Sequence, residues 1–197
     1  MLLTTSYGLN NSHTKRIHVG LQTTSDGVFV PVVKLNGNYA EGIHFDAESW
    51  LRFQKSMKLM KEYLGSHNRS RPDPISIDNI STSFTTSYGA RSILVAYKEN
   101  EAHTTGNTHA EEETALTPAS KKRKPYGICI VMQQTTFIGL ENIVKCIDAQ
   151  LKRLQSLAKS VNECARYLIK EIELNLPSGY IDRDIVKLTL KPRLQWS

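Results

Sequence analysis

The sequence predicts an α+β protein made of two tandem units, each an antiparallel β-sheet followed by a helix. Three observations carry that expectation. Short alternating apolar runs, separated by turn residues, lead into a stretch with helical apolar spacing. After a Gly/Ser/Asn/Pro-rich break the same order returns, which is the signature of an internal duplication. The second helical stretch is also much longer than the first.

The first unit is expected over residues 15–64. Ile17, Val19 and Leu21 alternate with His18, Gly20 and Gln22, so one face is apolar and the other polar. Ser25-Asp26-Gly27 supplies a turn, and residues 28–35 return as a second strand. Pro31 lacks an N–H to give a ladder, so it belongs at an edge or a bulge. Asn36-Gly37-Asn38 turns the chain again into a short strand around Glu41–Phe45. Asp46 then reads as an N-cap, because its carboxylate can accept from the unpaired N–H groups of a following helix. Trp50, Phe53, Met57, Met60 and Leu64 recur at steps of three and four, sharing one helix face that Gly65 closes.

Residues 65–74, GSHNRSRPDP, form the expected linker. The second unit, 75–174, has strand signals at 75–84, 91–98 and 126–133; Thr135–Leu140 leads out, and a helix begins near Glu141. From Leu140 through Val144, Ile147, Leu151, Leu154, Ala158, Val161, Ala165, Leu168 and Ile172, apolar side chains follow steps of four and three without a lapse. Such a rod, about 50 Å long, exceeds the cover one small sheet needs. Its seam (Leu151, Leu154, Ala158, Val161, Ala165, Leu168) is the expected helix interface, with residues 159–174 packing on another helix of this chain or of a second copy in a homo-oligomer. Residues 99–124 hold almost no large apolar side chains and are expected to be a disordered insertion. The tail, 175–197, has only a weak strand signal and a basic end.

Composition narrows the function classes. The 197 residues are 40% hydrophobic, enough for a core without disulfide or metal staples. No apolar run reaches the length of a membrane span and the first residues do not read as a secretory signal, so an intracellular protein without membrane contact is expected. Cys129, Cys146 and Cys164 are odd in number, widely spaced and flanked by apolar residues, which fits buried free thiols. Neither these nor the six histidines show metal-ligand spacing. A Gly-rich phosphate loop, a nucleophile elbow and a paired-acid arrangement are also missing, so a non-enzyme without cofactor or metal is expected.

The run Gly42-Ile-His-Phe-Asp-Ala-Glu-Ser-Trp50, leaving a hairpin and opening a helix, resembles the positive-cofactor-four family of transcriptional coactivators. There a Gly-Ile, an apolar residue, an Asn/Asp cap, a Glu and a Trp mark the strand-to-helix junction. The strands at Ile17–Val19 and Val28–Val33 resemble that family's hairpin. Phe137-Ile-Gly-Leu-Glu-Asn-Ile143 is a weaker second copy, with Ile143 at the Trp position. The resemblance spans about residues 15–64 and 75–160. It implies curved four-stranded sheets, each backed by a helix, pairing through the helices and gripping single-stranded DNA. Here both units come from one chain, an intramolecular pseudo-dimer.

Gripping unpaired strands needs positive side chains along the phosphates and flat rings for the bases. The chain has 25 basic and 19 acidic residues; residues 99–124 hold four and five of them, leaving 21 against 14, or +7. In the family an aromatic followed by basic residues sits at the hairpin tip. The resemblance therefore points to Tyr88 for stacking and to Arg91 and Lys98 for phosphates, with Tyr97 further along the strand. The first tip, Thr23–Gly27, has no aromatic, so its contacts would come from Lys15, Arg16, His18, Lys34 and Tyr39. Lys121-Lys122-Arg123-Lys124, in the polar insertion, reads as a nuclear-import signal for an import receptor. The combined expectation is a nuclear, non-catalytic single-stranded-DNA-binding protein of transcription or replication, in a cell or a DNA virus. The alternative is an adaptor that keeps the fold and oligomerises through its long C-terminal helix.

Overall fold

The computed structural model describes residues 1–37, 41–66, 70–98 and 128–175. The insertion at 99–124, its basic run and the tail from 176 onward lie outside the described residues, as do Tyr39 and part of the linker. The fold class is α+β. Strands β1 (Leu2–Gly8), β2 (Arg16–Thr23), β3 (Phe29–Asn36) and β4 (Gly42–Phe45) precede α1 (Ala47–Gly65). Strands β5 (Ile75–Ile77), β6 (Ile80–Ser87), β7 (Ala90–Tyr97) and β8 (Cys129–Gln133) precede α2 (Gln134–Asn175). Each set forms an antiparallel four-stranded sheet with its strands in chain order.

The alternation read in β2 and β3 is the one the fold uses. Ile17, Val19 and Leu21 stand beside Leu35 and Val33 on a buried face, while Arg16, His18, Lys34 and Asn36 pair on the other. Pro31 lies in the part of β3 that β4, pairing only with Val33–Asn36, leaves unaccompanied. Asp46 caps α1 as expected: its Oδ1 accepts from the Ser49 N–H at 2.8 Å and the Ser49 hydroxyl at 2.7 Å. All five residues of the expected apolar helix face are buried. Gly42 opens β4 because a Cβ there would collide with the Leu35 carbonyl and the Asn36 side chain.

Four boundaries differ from the sequence expectation. The first sheet begins at Leu2, not near residue 15; a register shift between Leu2 and Thr5, with Leu3 at φ +50°, breaks the alternation that would have marked β1. The run 75–84 is two strands, folded back at Asp78-Asn79, where Asp78 takes φ +50°. Strand β8 starts at Cys129. It passes straight into α2 at Gln134 with no lead-out, so α2 has 42 residues and a length of about 63 Å.

The helices do not each back their own sheet, which corrects the simplest expectation. Helix α2 lies over β2 and β3 of the first sheet, contributing buried Phe137, Leu140, Ile147, Leu151 and Leu154. Helix α1 starts on the first sheet, where Phe45, Trp50 and Phe53 form a ring cluster with centroids 5.0–6.0 Å apart. It then runs along the second sheet: Arg52 pairs with Asp78 at one end, and Tyr63 packs edge-on against Phe84 and donates to the Thr85 carbonyl at the other. One apolar core results, containing residues from both sheets and both helices.

Two polar side chains close backbone edges that the short β4 leaves open. Asn162 of α2 accepts from the Phe29 N–H at 2.8 Å and donates to the Phe29 carbonyl at 2.9 Å, standing in for a neighbouring strand. The Tyr97 hydroxyl accepts from the His44 N–H at 2.9 Å, tying β7 to β4.

Gly139 provides a test of this packing. A Cβ at that position would press into the Leu9 carbonyl in the β1–β2 loop. Gly→Ala inside a helix ordinarily stabilises by about 1 kcal/mol. Here Gly139→Ala should instead destabilise by about 1–3 kcal/mol, read from urea unfolding midpoints.

Candidate nucleic-acid interface

With both helices packed against the inner faces, the outer face of the first sheet carries its charge. Cross-strand register places Ser6, His18, Lys34 and His44 side by side in one row across all four strands. The neighbouring row is Gly8, Arg16, Asn36 and Gly42, so Arg16 stands diagonally beside Lys34. Lys15 precedes β2 and brings its ammonium near Gly37 of the β3–β4 connection. Thus Lys15, Arg16, His18 and Lys34, all expected from the sequence, gather at one end and face of one sheet.

Contacts fix the members of the row. Ser6 Oγ lies 2.6 Å from His18 Nδ1, and the Arg16 Nε donates to the His13 carbonyl at 3.1 Å. His44 Nδ1 lies 3.1 Å from the Tyr97 hydroxyl. Partial burial pushes the His18 imidazole below its usual value, with Lys34 and Arg16 adding to the effect. Burial, then Lys34, pushes His44 down to about 4. Burial also lowers Lys34, while Glu41 opposes the shift. The row therefore holds one cation, Lys34, between flat imidazole rings that are neutral at physiological pH, with Arg16 in the adjacent row. An approaching phosphate would favour their protonation.

The second sheet is chemically different. Its outer rows are Ser76, Ser81, Ala96 and Cys129; Ser83, Leu94 and Val131; and Thr85, Ser92 and Gln133. None of these is cationic. Arg91, expected to contact phosphate, lies on the inner face. Its guanidinium donates to the Tyr63 carbonyl at 2.8 Å and stacks 4.7 Å above the Tyr63 ring. Sequence could not reveal this, because a strand-start arginine looks the same on either face. Tyr97 is likewise occupied between the sheets, and Lys98 Nζ donates to the Asp78 carbonyl. Only Tyr88 matches its expected disposition: it is fully exposed at the β6–β7 tip, at φ +52° beside Gly89 at φ +75°.

Other expectations also change. Cys129, Cys146 and Cys164 are exposed, since each sits off the apolar stripe of its element. On α2, Leu151 and Leu154 are buried against the chain's own core, with Ala158 and Val161 partly so; Leu168 is exposed. His44 and Ser6 were not identified from sequence. His44 was hidden inside the junction motif, and Ser6 lay on an unread strand. Among the described residues no His, Cys, Asp and Glu group is placed to hold a metal ion, and no helix is long and apolar enough to cross a membrane. A cleft of about 560 Å³ between the end of α1 and the start of α2 is lined by Ser66, Arg91, Gln133 and Gln134.

The lowered histidines imply a pH dependence. An unfolded chain takes up protons near the ordinary histidine value of about 6.5, whereas folded His44 does so only near 4. Between those values the unfolded state holds more protons, so stability falls as pH drops through that window. With allowance for partial solvent screening, the fold should lose about 1–2 kcal/mol between pH 7 and pH 4.5. His44→Asn should remove most of that dependence in urea titrations at the two pH values. No protein-family model matches the chain, and no curated protein matches it as a relative.

Proposed function

We propose that the protein binds single-stranded nucleic acid, DNA in preference, along the outer face of its first sheet, as a non-catalytic factor in nuclear transcription or replication. The observation that carries this reading is the group of Arg16, His18, Lys34 and His44 in adjacent rows on the helix-free face of the first sheet. Phosphates follow Arg16, Lys34 and Lys15; imidazole rings offer flat surfaces at the same spacing. The basic run Lys121–Lys124 supports recognition by a nuclear-import receptor.

Tyr88 adds a base-stacking surface at the second hairpin. A bulky residue in the left-handed region is disfavoured, and the usual occupant beside glycine in such a turn is asparagine. An exposed tyrosine kept there fits a ligand-facing role. The second sheet's uncharged outer face then makes no phosphate contact.

Fluorescence anisotropy with labelled single-stranded DNA, single-stranded RNA and duplex at two salt concentrations tests the proposal. Binding should favour single strands and weaken with salt. Arg16→Ala with Lys34→Ala should reduce affinity at least about tenfold and flatten the salt dependence. Equal affinity for duplex, or no salt dependence, would contradict the reading. Tyr88→Asn should raise the melting midpoint yet weaken binding at least about fivefold, a sign difference that separates turn strain from ligand contact.

A further inference from the structure

The cleft between the end of α1 and the start of α2 has the size and lining of a ligand site. Its volume of about 560 Å³ falls in the usual range for small-molecule pockets, about 300–1,000 Å³. Arg91 is its one charged lining residue; Gln133, Gln134, Thr135 and Ser66 supply amides and hydroxyls, and no carboxylate lines it. The Arg91 guanidinium is a fork of N–H donors. It gives one to the Tyr63 carbonyl at 2.8 Å, and no other acceptor among the described residues takes the rest. The side chains of Gln134 and Thr135 are likewise without partners there. A half-buried cation with uncommitted donors, set beside amides and hydroxyls and lacking a counter-ion, suits an anion.

The hairpin tip joins this cleft to a flat ring. Ala90 lines the cleft, and Tyr88 stands two residues away, fully exposed at the same turn. Gln133 Nε2 donates to the Ser87 carbonyl at 3.2 Å, tying the lining to the turn. We propose that the cleft binds a nucleotide phosphate monoester, with the phosphate on Arg91, Gln134 and Thr135 and the base against Tyr88. A free mononucleotide and the phosphorylated end of a strand share that chemistry. The site deepens the nucleic-acid reading through the stacking role of Tyr88, and it needs nothing from the first sheet.

Isothermal titration calorimetry of the full chain at physiological salt is the test. Thymidine 5′-monophosphate should bind at least about tenfold more tightly than thymidine or inorganic phosphate, since each of those lacks one of the two contacts. A similar gain for 5′-phosphorylated over 5′-hydroxyl oligothymidylate supports the proposal and assigns the strand end; a gain confined to the mononucleotide supports it and assigns the free nucleotide. Ala90→Trp fills the cleft from an exposed position and leaves the Arg91–Tyr63 contact in place. It should weaken mononucleotide binding at least about tenfold with an unchanged melting curve, and Gln134→Leu with Thr135→Val, both exposed, should act in the same direction. Arg16→Ala with Lys34→Ala should lower affinity for 5′-hydroxyl strands and leave mononucleotide binding intact, so the two sites succeed or fail separately. No preference for the phosphate, full binding in the cleft variants, or loss of mononucleotide binding in the first-sheet variant overturns the proposal.

Discussion

The carboxylate of Asp148 on α2 holds the two halves of the chain together. Its Oδ1 accepts from the Trp50 indole N–H at 2.9 Å and from the Gln54 amide at 2.6 Å, so one oxygen fixes two positions of α1 against the first half of α2. Hydrogen bonds to a charged acceptor in a partly buried setting are among the stronger polar contacts of a fold. Around this node α1 leaves the first sheet for the second, and α2 leaves the second sheet for the first. Neither sheet has a complete inner cover without the other half's helix. The Phe45–Trp50–Phe53 rings and the salt bridge from Lys61 to Glu141 lie on either side of the same crossing.

That crossing directs the chemistry outward. With the helices committed to the inner faces, the outer faces are left without helical cover, and the two have diverged. The first carries arginine, lysine and histidine in adjacent rows; the second carries uncharged side chains, hydroxyls among Leu94, Val131 and Gln133. The second sheet's own arginine is turned inward onto Tyr63, where it helps seat the end of α1. The likeness between the halves is thus one of strand order, not of surface.

Much of this architecture was legible from local signals. Alternation in β2 and β3, the Asp46 cap and the apolar face of α1 each follow from one periodicity or one side-chain hydrogen bond. What escaped notice depends on distant partners. Strand β1 contains a register irregularity that hides its pattern, and the glycine inside α2, Gly139, has its reason in a fit against Leu9, a contact across some 130 residues. The candidate site divides the same way. Lys15, Arg16, His18 and Lys34 could be named through the resemblance of the first hairpin, and alternation along β2 and β3 is what puts His18 and Lys34 on the outer face. Arg91 and Tyr97 could not be placed, because only the helix exchange and the meeting of β4 with β7 decide what they touch.

The most direct measurement is site-resolved photo-cross-linking of the full chain to a single-stranded oligonucleotide containing 4-thiothymidine, with adducts mapped by mass spectrometry. Adducts on the peptides spanning residues 15–36 and 41–45, with a further one at Tyr88, are the predicted result. Adducts confined to the hydroxyl-lined face of β5–β8, or spread without preference over the surface, would contradict the assignment of the first sheet as the binding platform.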